Sequence, residues 1–188
     1  MHNVGSLKLV IGPMFSGKSS ELIKEIRKLK VINTKYIVIK PIIDNRYKSN
    51  YIVSHDKESE ECIITDDLNN ITDNEILDFN SIIIDEGQFL KNLKNKVLYW
   101  VEKLNKNIII GGLDGDYKRN PIGEILELIP FCDSIKKINS LCVHCKNGTP
   151  ALFSHRITNE QDQVVVGSSD IYIPLCRYHY LFSENHKF

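Results

Sequence analysis

The sequence predicts an α/β protein in which a parallel sheet flanked by helices is followed by a small unit of antiparallel strands. Three observations predict it. Short runs rich in valine and isoleucine alternate with amphipathic helical stretches through the first two thirds of the chain. A glycine-rich turn joins the first of these runs to the first helix. From about residue 140 the texture changes to short alternating stretches bounded by glycine, asparagine and serine.

The strand candidates are residues 7–11, 36–39, 81–84 and 107–110, each apolar on both faces, as suits strands covered by helices on either side. After Ser19, the residues Leu22, Ile23, Ile26 and Leu29 recur at helical spacing, while Lys24, Glu25, Arg27 and Lys28 form the opposite face. Leu93, Val97, Leu98, Val101 and Leu104 repeat that pattern before the fourth run. Strand, helix, strand, twice over, predicts parallel pairing through right-handed crossovers. Residues 44–80 are polar and weakly periodic, and read mostly as loop with a short strand or helix. Residues 151–157 and 163–166 read as small antiparallel strands. The expected domains are therefore residues 1–139 and 140–188.

The chain has 188 residues, enough for one good core and a small appendage. Its 24 Lys and Arg balance 24 Asp and Glu, so no general basic field draws it to nucleic acid or to an anionic membrane. No apolar stretch approaches the roughly 18 residues needed to span a bilayer, and residues 1–6 do not open a signal sequence, so a soluble, cytoplasmic protein is expected. Five cysteines, an odd number, argue against a disulfide framework.

Gly12-Pro13-Met14-Phe15-Ser16-Gly17-Lys18-Ser19 has glycine, four residues, then Gly-Lys-Ser, set between a predicted strand and a predicted helix. Such a loop curls its N–H groups inward at the positive end of the following helix, which makes an anion cradle. Lys18 would reach the outer phosphates of ATP and Ser19 would ligate Mg²⁺. Asp85 and Glu86 end the third apolar run on the same sheet edge. Asp85 suits a second Mg²⁺ contact, and Glu86, pointing the other way, can take a proton from an acceptor. A helix-capping or solvated role is the alternative for either acid.

Cys142 and Cys145, then Cys176 and His179, form two pairs with two residues between the members of each. Three thiolates and one imidazole fill all four positions of a structural Zn²⁺. Such a site staples a unit too small to keep its own core, giving it a zinc-ribbon-like character. Cys62 and Cys132 lack such partners and read as packing residues.

Taken together, the phosphate loop, Asp44-Asn45-Arg46-Tyr47, Asp85-Glu86-Gly87-Gln88-Phe89, Leu113-Asp114-Gly115 and the Cys/Cys/Cys/His set resemble the type II, zinc-containing thymidine kinases, over residues 7–180. The resemblance implies a P-loop (RecA-like) domain and a zinc domain carrying a lasso loop. It implies transfer of the γ-phosphate of ATP to the 5′-hydroxyl of thymidine, with deoxyuridine as a possible acceptor, in nucleotide salvage. Glu86 would be the general base, Arg46 would neutralise charge on the transferring group, and Asp44 and Gln88 would lie with Asp85 on the nucleotide side. The base would be held largely by main-chain groups of a lasso that runs through Gln163, Val164, Val165, Val166 and Gly167 to Tyr172. Met14, Phe89, Leu113, Tyr117 and Ser154 would line the pocket around it. The family also implies a homotetramer and feedback inhibition by dTTP. Ile122 and Leu90 stand where phenylalanine is common, and the Tyr117 hydroxyl needs a partner, departures that bear on base selectivity rather than reaction class. Two other classes compete: a zinc-ribbon P-loop ATPase acting on nucleic acid, which would need more length or a basic track, and a non-catalytic ligand sensor.

Overall fold

A computed structural model of the chain describes residues 4–42, 51–53 and 59–185. In chain order the elements are β1 (Ser6–Gly12), α1 (Lys18–Val31), β2 (Tyr36–Pro41), β3 (Tyr51–Val53), β4 (Ser59–Glu61), β5 (Ile63–Thr65), α2 (Asp73–Ile76), β6 (Ser81–Ile84), α3 (Leu93–Glu102) and β7 (Asn107–Leu113). After a 3₁₀ stretch over Ile125–Phe131 come β8 (Ser134–Lys137), β9 (Ser140–Leu141), β10 (Pro150–Ala151), β11 (Phe153–Arg156), β12 (Tyr172–Leu175) and α4 (Arg177–Asn185).

Among the described residues, six strands form one sheet in the order β5-β2-β6-β7-β1-β8. Every pairing in it is parallel. All four predicted strands lie in its interior, and alternation divides their side chains between two cores. Leu7, Leu9, Ile11, Ile82 and Ile84 face a core closed by Leu93, Val97, Trp100 and Val101 of α3. Val10, Val38 and Ile83 face Leu22, Ile23 and Ile26 of α1. β1 to β2 runs toward one edge of the sheet and β6 to β7 toward the other, so crossovers of the usual right hand place the two helices on opposite faces. Cys62 and Cys132 pack against these cores, as expected.

The edge strands escaped the sequence reading. β8 has an exposed side-chain row over Ser-Ile-Lys-Lys, so no apolar run betrays it. It is registered by Asp133, whose N–H donates to Leu7 O at 2.8 Å and whose Oδ2 accepts from Leu7 N at 2.7 Å. In the region read mostly as loop, Thr72-Asp73-Asn74-Glu75 forms a capping box, with Glu75 Oε2 accepting from Thr72 N at 2.7 Å, and opens the short helix α2.

On α1, Glu25 accepts from Lys8 Nζ at 2.8 Å and from Lys28 Nζ at 2.9 Å. Burial opposes its charge, yet the two ammonium groups outweigh burial and hold the carboxyl below its ordinary value. Because the folded value lies below the unfolded one, this contribution is present at neutral pH and disappears as the pH falls through the lowered value. Glu25→Gln should lower the melting temperature at pH 7 by about 2–4 °C, roughly 1 kcal/mol, and by much less near pH 3. Thermal melts at the two pH values check it.

The C-terminal elements form two hairpins, β9–β10 and β11–β12, with α4 laid against them. Their core is small: Ala151, Leu175 and Tyr180 beside the cysteines, with Phe153 and Ile173 partly buried against them. The strand expected at 163–166 is a loop. Its three consecutive valines have strand propensity, but the carbonyls of Glu160, Asp162 and Gln163 are taken by the Arg156 guanidinium instead of a neighbouring strand.

Candidate active site

The parallel strands end on one edge of the sheet, and that edge carries the chemistry. β1 runs into the loop Gly12–Ser19, which turns directly into α1. Phe15 and Gly17 sit at φ 62° and 83°, the left-handed turns that curl the loop. Space around Gly17 is open, so its glycine is needed for conformation and not for room. Ser16 Oγ and Lys18 Nζ each donate to Pro13 O at 2.8 Å, so the loop is braced from inside.

Ser19 Oγ donates to Asp85 Oδ2 at 2.9 Å, bringing a hydroxyl and a carboxylate together beside the cradle. Those are hard oxygen ligands of the kind Mg²⁺ takes, so the pair fits that ion. Asp85 is buried at 3% exposure, and its Oδ1 accepts from Glu86 N at 3.1 Å. Glu86 itself lies at φ 50°, ψ 42°, an uncommon region for a side-chain-bearing residue that costs on the order of 1 kcal/mol. That turn ends β6 and swings the Glu86 carboxylate over the cavity. Gln88 lies behind this carboxylate: its Nε2 donates to Glu86 Oε2 at 2.7 Å and its Oε1 accepts from Leu113 N at 2.9 Å. It is buried and does not itself line the cavity over which the sequence expected it to lie with Asp85 on the nucleotide side. Gly123, at φ 59°, presses on the Gln88 carbonyl, where a Cβ would collide.

A cavity of about 480 Å³ opens over these groups. One wall holds Met14, Phe15, Gly17, Lys18, Ser19, Asp85 and Glu86. The other holds Phe89, Leu113, Tyr117, Ile122 and Ser154 with the loop Gln163, Val164, Val165, Val166, Gly167 and then Tyr172. Of the expected residues, Gly12, Pro13 and Ser16 form the body of the phosphate loop without lining the cavity, and Asp44 and Arg46 lie outside the described residues. The two halves are tied by Met14 N donating to Ser154 Oγ at 2.9 Å and by Tyr180 Oη donating to Tyr117 O at 2.6 Å. The extra hydroxyl of Tyr117 finds Gln161 O at 3.2 Å. Ile122 lines the cavity, whereas Leu90 is buried in the main core and does not.

Sequence reasoning missed three residues here. Lys40, 3% exposed, ends β2 at the cavity and could have been noticed as a lone charge closing an apolar run. Asp116 caps its own turn, accepting from Lys118 N and Asn120 N at 2.8 Å each, and accepts from Gln163 Nε2 at 3.0 Å. Arg156 shares the buried face of β11 with Ser154, which the alternation of Phe153-Ser154-His155-Arg156 signals.

Cys142, Cys145, Cys176 and His179 converge as the spacing required, with their ligand atoms all within 4.8 Å of one another. His179 Nδ1 lies 3.4, 3.3 and 3.3 Å from the sulfurs of Cys142, Cys145 and Cys176, and the sulfurs of Cys145 and Cys176 are 3.7 Å apart. Zn–S bonds near 2.3 Å give tetrahedral S···S edges of about 3.8 Å, so the cluster fits Zn²⁺. Burial disfavours the Cys142 thiolate, but backbone N–H groups of Cys176, Cys145 and His144 outweigh it and bring the thiol down to about 6. The ligand pairs come from the β9–β10 turn and from the start of α4, so one ion joins both ends of the unit.

A phosphate loop at the edge of a parallel sheet, with a Cys₃His module covering it, defines a P-loop nucleotide-binding protein. The model of the thymidine kinase family matches residues 5–180. A thymidine kinase of vaccinia virus (strain Western Reserve) is 36% identical over 184 residues, covering 96% of this chain and 99% of its own. One of raccoon poxvirus is 37% identical over 179 residues, covering 95% and 98%. A thymidine kinase of rice is 35% identical over 182 residues, covering 94% of this chain and 66% of the longer plant protein. The chain belongs to the thymidine kinase family, a family of phosphotransferases. Nothing in these similarities supports a nucleic-acid ATPase. Among the described residues, no helix is long and apolar enough to cross a membrane.

Proposed function

We propose that the protein transfers the γ-phosphoryl group of ATP to the 5′-hydroxyl of thymidine, giving ADP and thymidine 5′-phosphate for nucleotide salvage. The observation that carries this reading is the placement of the phosphate loop, Ser19, Asp85 and Glu86 in one cavity with the loop 163–167 and Tyr172. The backbone of residues 12–19 and Lys18 bind the phosphates. Ser19 and Asp85 would hold Mg²⁺, which supplies charge neutralisation when bound. Glu86, held by Gln88, accepts the proton of the 5′-hydroxyl as that oxygen bonds to the γ-phosphorus and the bond to the β-phosphate oxygen breaks, leaving ADP. Main-chain groups of residues 163–167 grip the base, and Ile122 and Tyr117 set the room around it, which also admits deoxyuridine. Arg46 and Asp44, outside the described residues, would serve the phosphate side.

On the same reading, residues 1–139 are the kinase domain and 140–188 the zinc domain, and the protein acts in the cytoplasm as a homotetramer inhibited by dTTP. Labelled thymidine and ATP·Mg²⁺ should yield labelled monophosphate, and Lys18→Met should cut that yield by about 10²-fold or more. Absence of product from protein that binds ATP would overturn the reading.

A further inference from the structure

Arg156 has an environment that packing alone does not explain. It is 5% exposed, yet it carries a full charge and, among the described residues, no acidic side chain is hydrogen-bonded to it. Its Nη1 donates to Glu160 O at 3.0 Å and Asp162 O at 2.5 Å, and its Nη2 to Gln163 O at 3.1 Å and Tyr172 Oη at 2.7 Å. Its guanidinium carbon lies 3.8 Å from the centre of the Tyr117 ring and 5.2 Å from that of Tyr172. Tyr172 Oη in turn donates to Val165 O at 2.9 Å. The exposed Glu160 carboxylate is close enough to feel this charge, yet every hydrogen bond of the guanidinium goes to a carbonyl or a phenol, and a buried charge held that way is costly to keep.

The cost falls where the loop needs it. Arg156 and Tyr172 are cross-strand partners at the end of the β11–β12 hairpin, and the segment between them is the hairpin's connection. Among the described residues, no backbone–backbone hydrogen bond involves residues 160–167. Four carbonyls of that stretch, those of Glu160, Asp162, Gln163 and Val165, are instead collected by one guanidinium and one phenol. Arg156 does not line the cavity, whereas Gln163, Val165 and Tyr172 do. The guanidinium is a rigid planar fork whose several donors can serve separate carbonyls at once, which the single ammonium of lysine cannot reproduce.

We infer that Arg156 is a positioning residue for the acceptor nucleoside: it sets the shape of the loop 160–167 and acts on the substrate only through that loop and Tyr172. The inference rests on the reading of that loop as the nucleoside wall. It assigns to one side chain outside the cavity the placement of main-chain groups that meet the base, and it makes Tyr117 a stacking platform for the guanidinium as well as a wall residue.

The test uses zinc-loaded full-length protein and two variants, Arg156→Lys, which keeps the charge, and Arg156→Met, which keeps much of the bulk. Both should raise the KM for thymidine about tenfold to a hundredfold, because a displacement near 1 Å is enough for such a loss. The KM for ATP should stay within about twofold and zinc content per chain should not change. Amide hydrogen exchange over residues 160–167 should be faster in both variants than in the wild type. An unchanged thymidine KM in both variants would overturn the inference, as would a joint loss of zinc, ATP affinity and thymidine affinity in Arg156→Lys. If the wild type itself does not phosphorylate thymidine, the proposed function fails, and the exchange comparison still decides whether Arg156 shapes the loop.

Discussion

Glu86→Gln is expected to bind ATP as tightly as the wild type and to lose about 10²- to 10⁴-fold in kcat, the usual worth of a positioned proton acceptor. Glutamine keeps the shape and can still meet Gln88, so the strained turn at φ 50° has no reason to relax. What disappears is the charge that receives the proton of the attacking hydroxyl. Titration calorimetry with ATP and steady-state assays with thymidine separate the two effects. A variant that loses ATP affinity and kcat together would place Glu86 on the donor side.

The second large effect is expected from breaking the Cys₃His cluster. Among the described residues, the core cluster around it holds few buried apolar side chains besides the cysteines, namely Ala151, Leu175 and Tyr180, too little to hold two short hairpins and a helix. Structural zinc sites contribute on the order of 10 kcal/mol of folding free energy. Cys145→Ser, or a strong chelator, should therefore unfold the β9–α4 unit, abolish thymidine binding and leave the six-stranded sheet and ATP binding in place. Circular dichroism, zinc analysis and calorimetry with each substrate check this. Retention of thymidine affinity by zinc-free protein would contradict the placement of the nucleoside wall on that unit.

The interior of the sheet was legible in the sequence because β1, β2, β6 and β7 are apolar on both faces, a pattern that few other settings produce. The edges were not. Ser134–Lys137 has only Ile135 to show, since an edge strand needs no second apolar face, and its place beside β1 depends on Asp133 meeting Leu7 across 126 residues. The site divides in the same way. The phosphate loop, Asp85 with Glu86, and the zinc ligands announce themselves through local spacing. The bond from Met14 to Ser154, the stacking of Arg156 on Tyr117 and the meeting of Gln163 with Asp116 leave no local trace, because each joins residues 39 to 140 positions apart. Gln163–Val166 shows the opposite failure, a valine run of strand propensity whose carbonyls at Gln163 and Val165 go to side chains.

The strand order also governs how the chain is made. β1, which precedes the other strands of the sheet in chain order, pairs with β7 from Ser6 opposite Asn107 and with β8 from Lys8 opposite Ser134. At ribosomal speeds of about 5–20 residues per second, its partners follow roughly 5 to 25 seconds later. For that interval Leu7, Leu9 and Val10 travel as an unpaired apolar segment, open to holdase chaperones and to association with other nascent chains. The phosphate loop at the end of β1 can therefore take its working shape only after the chain has been translated through β7.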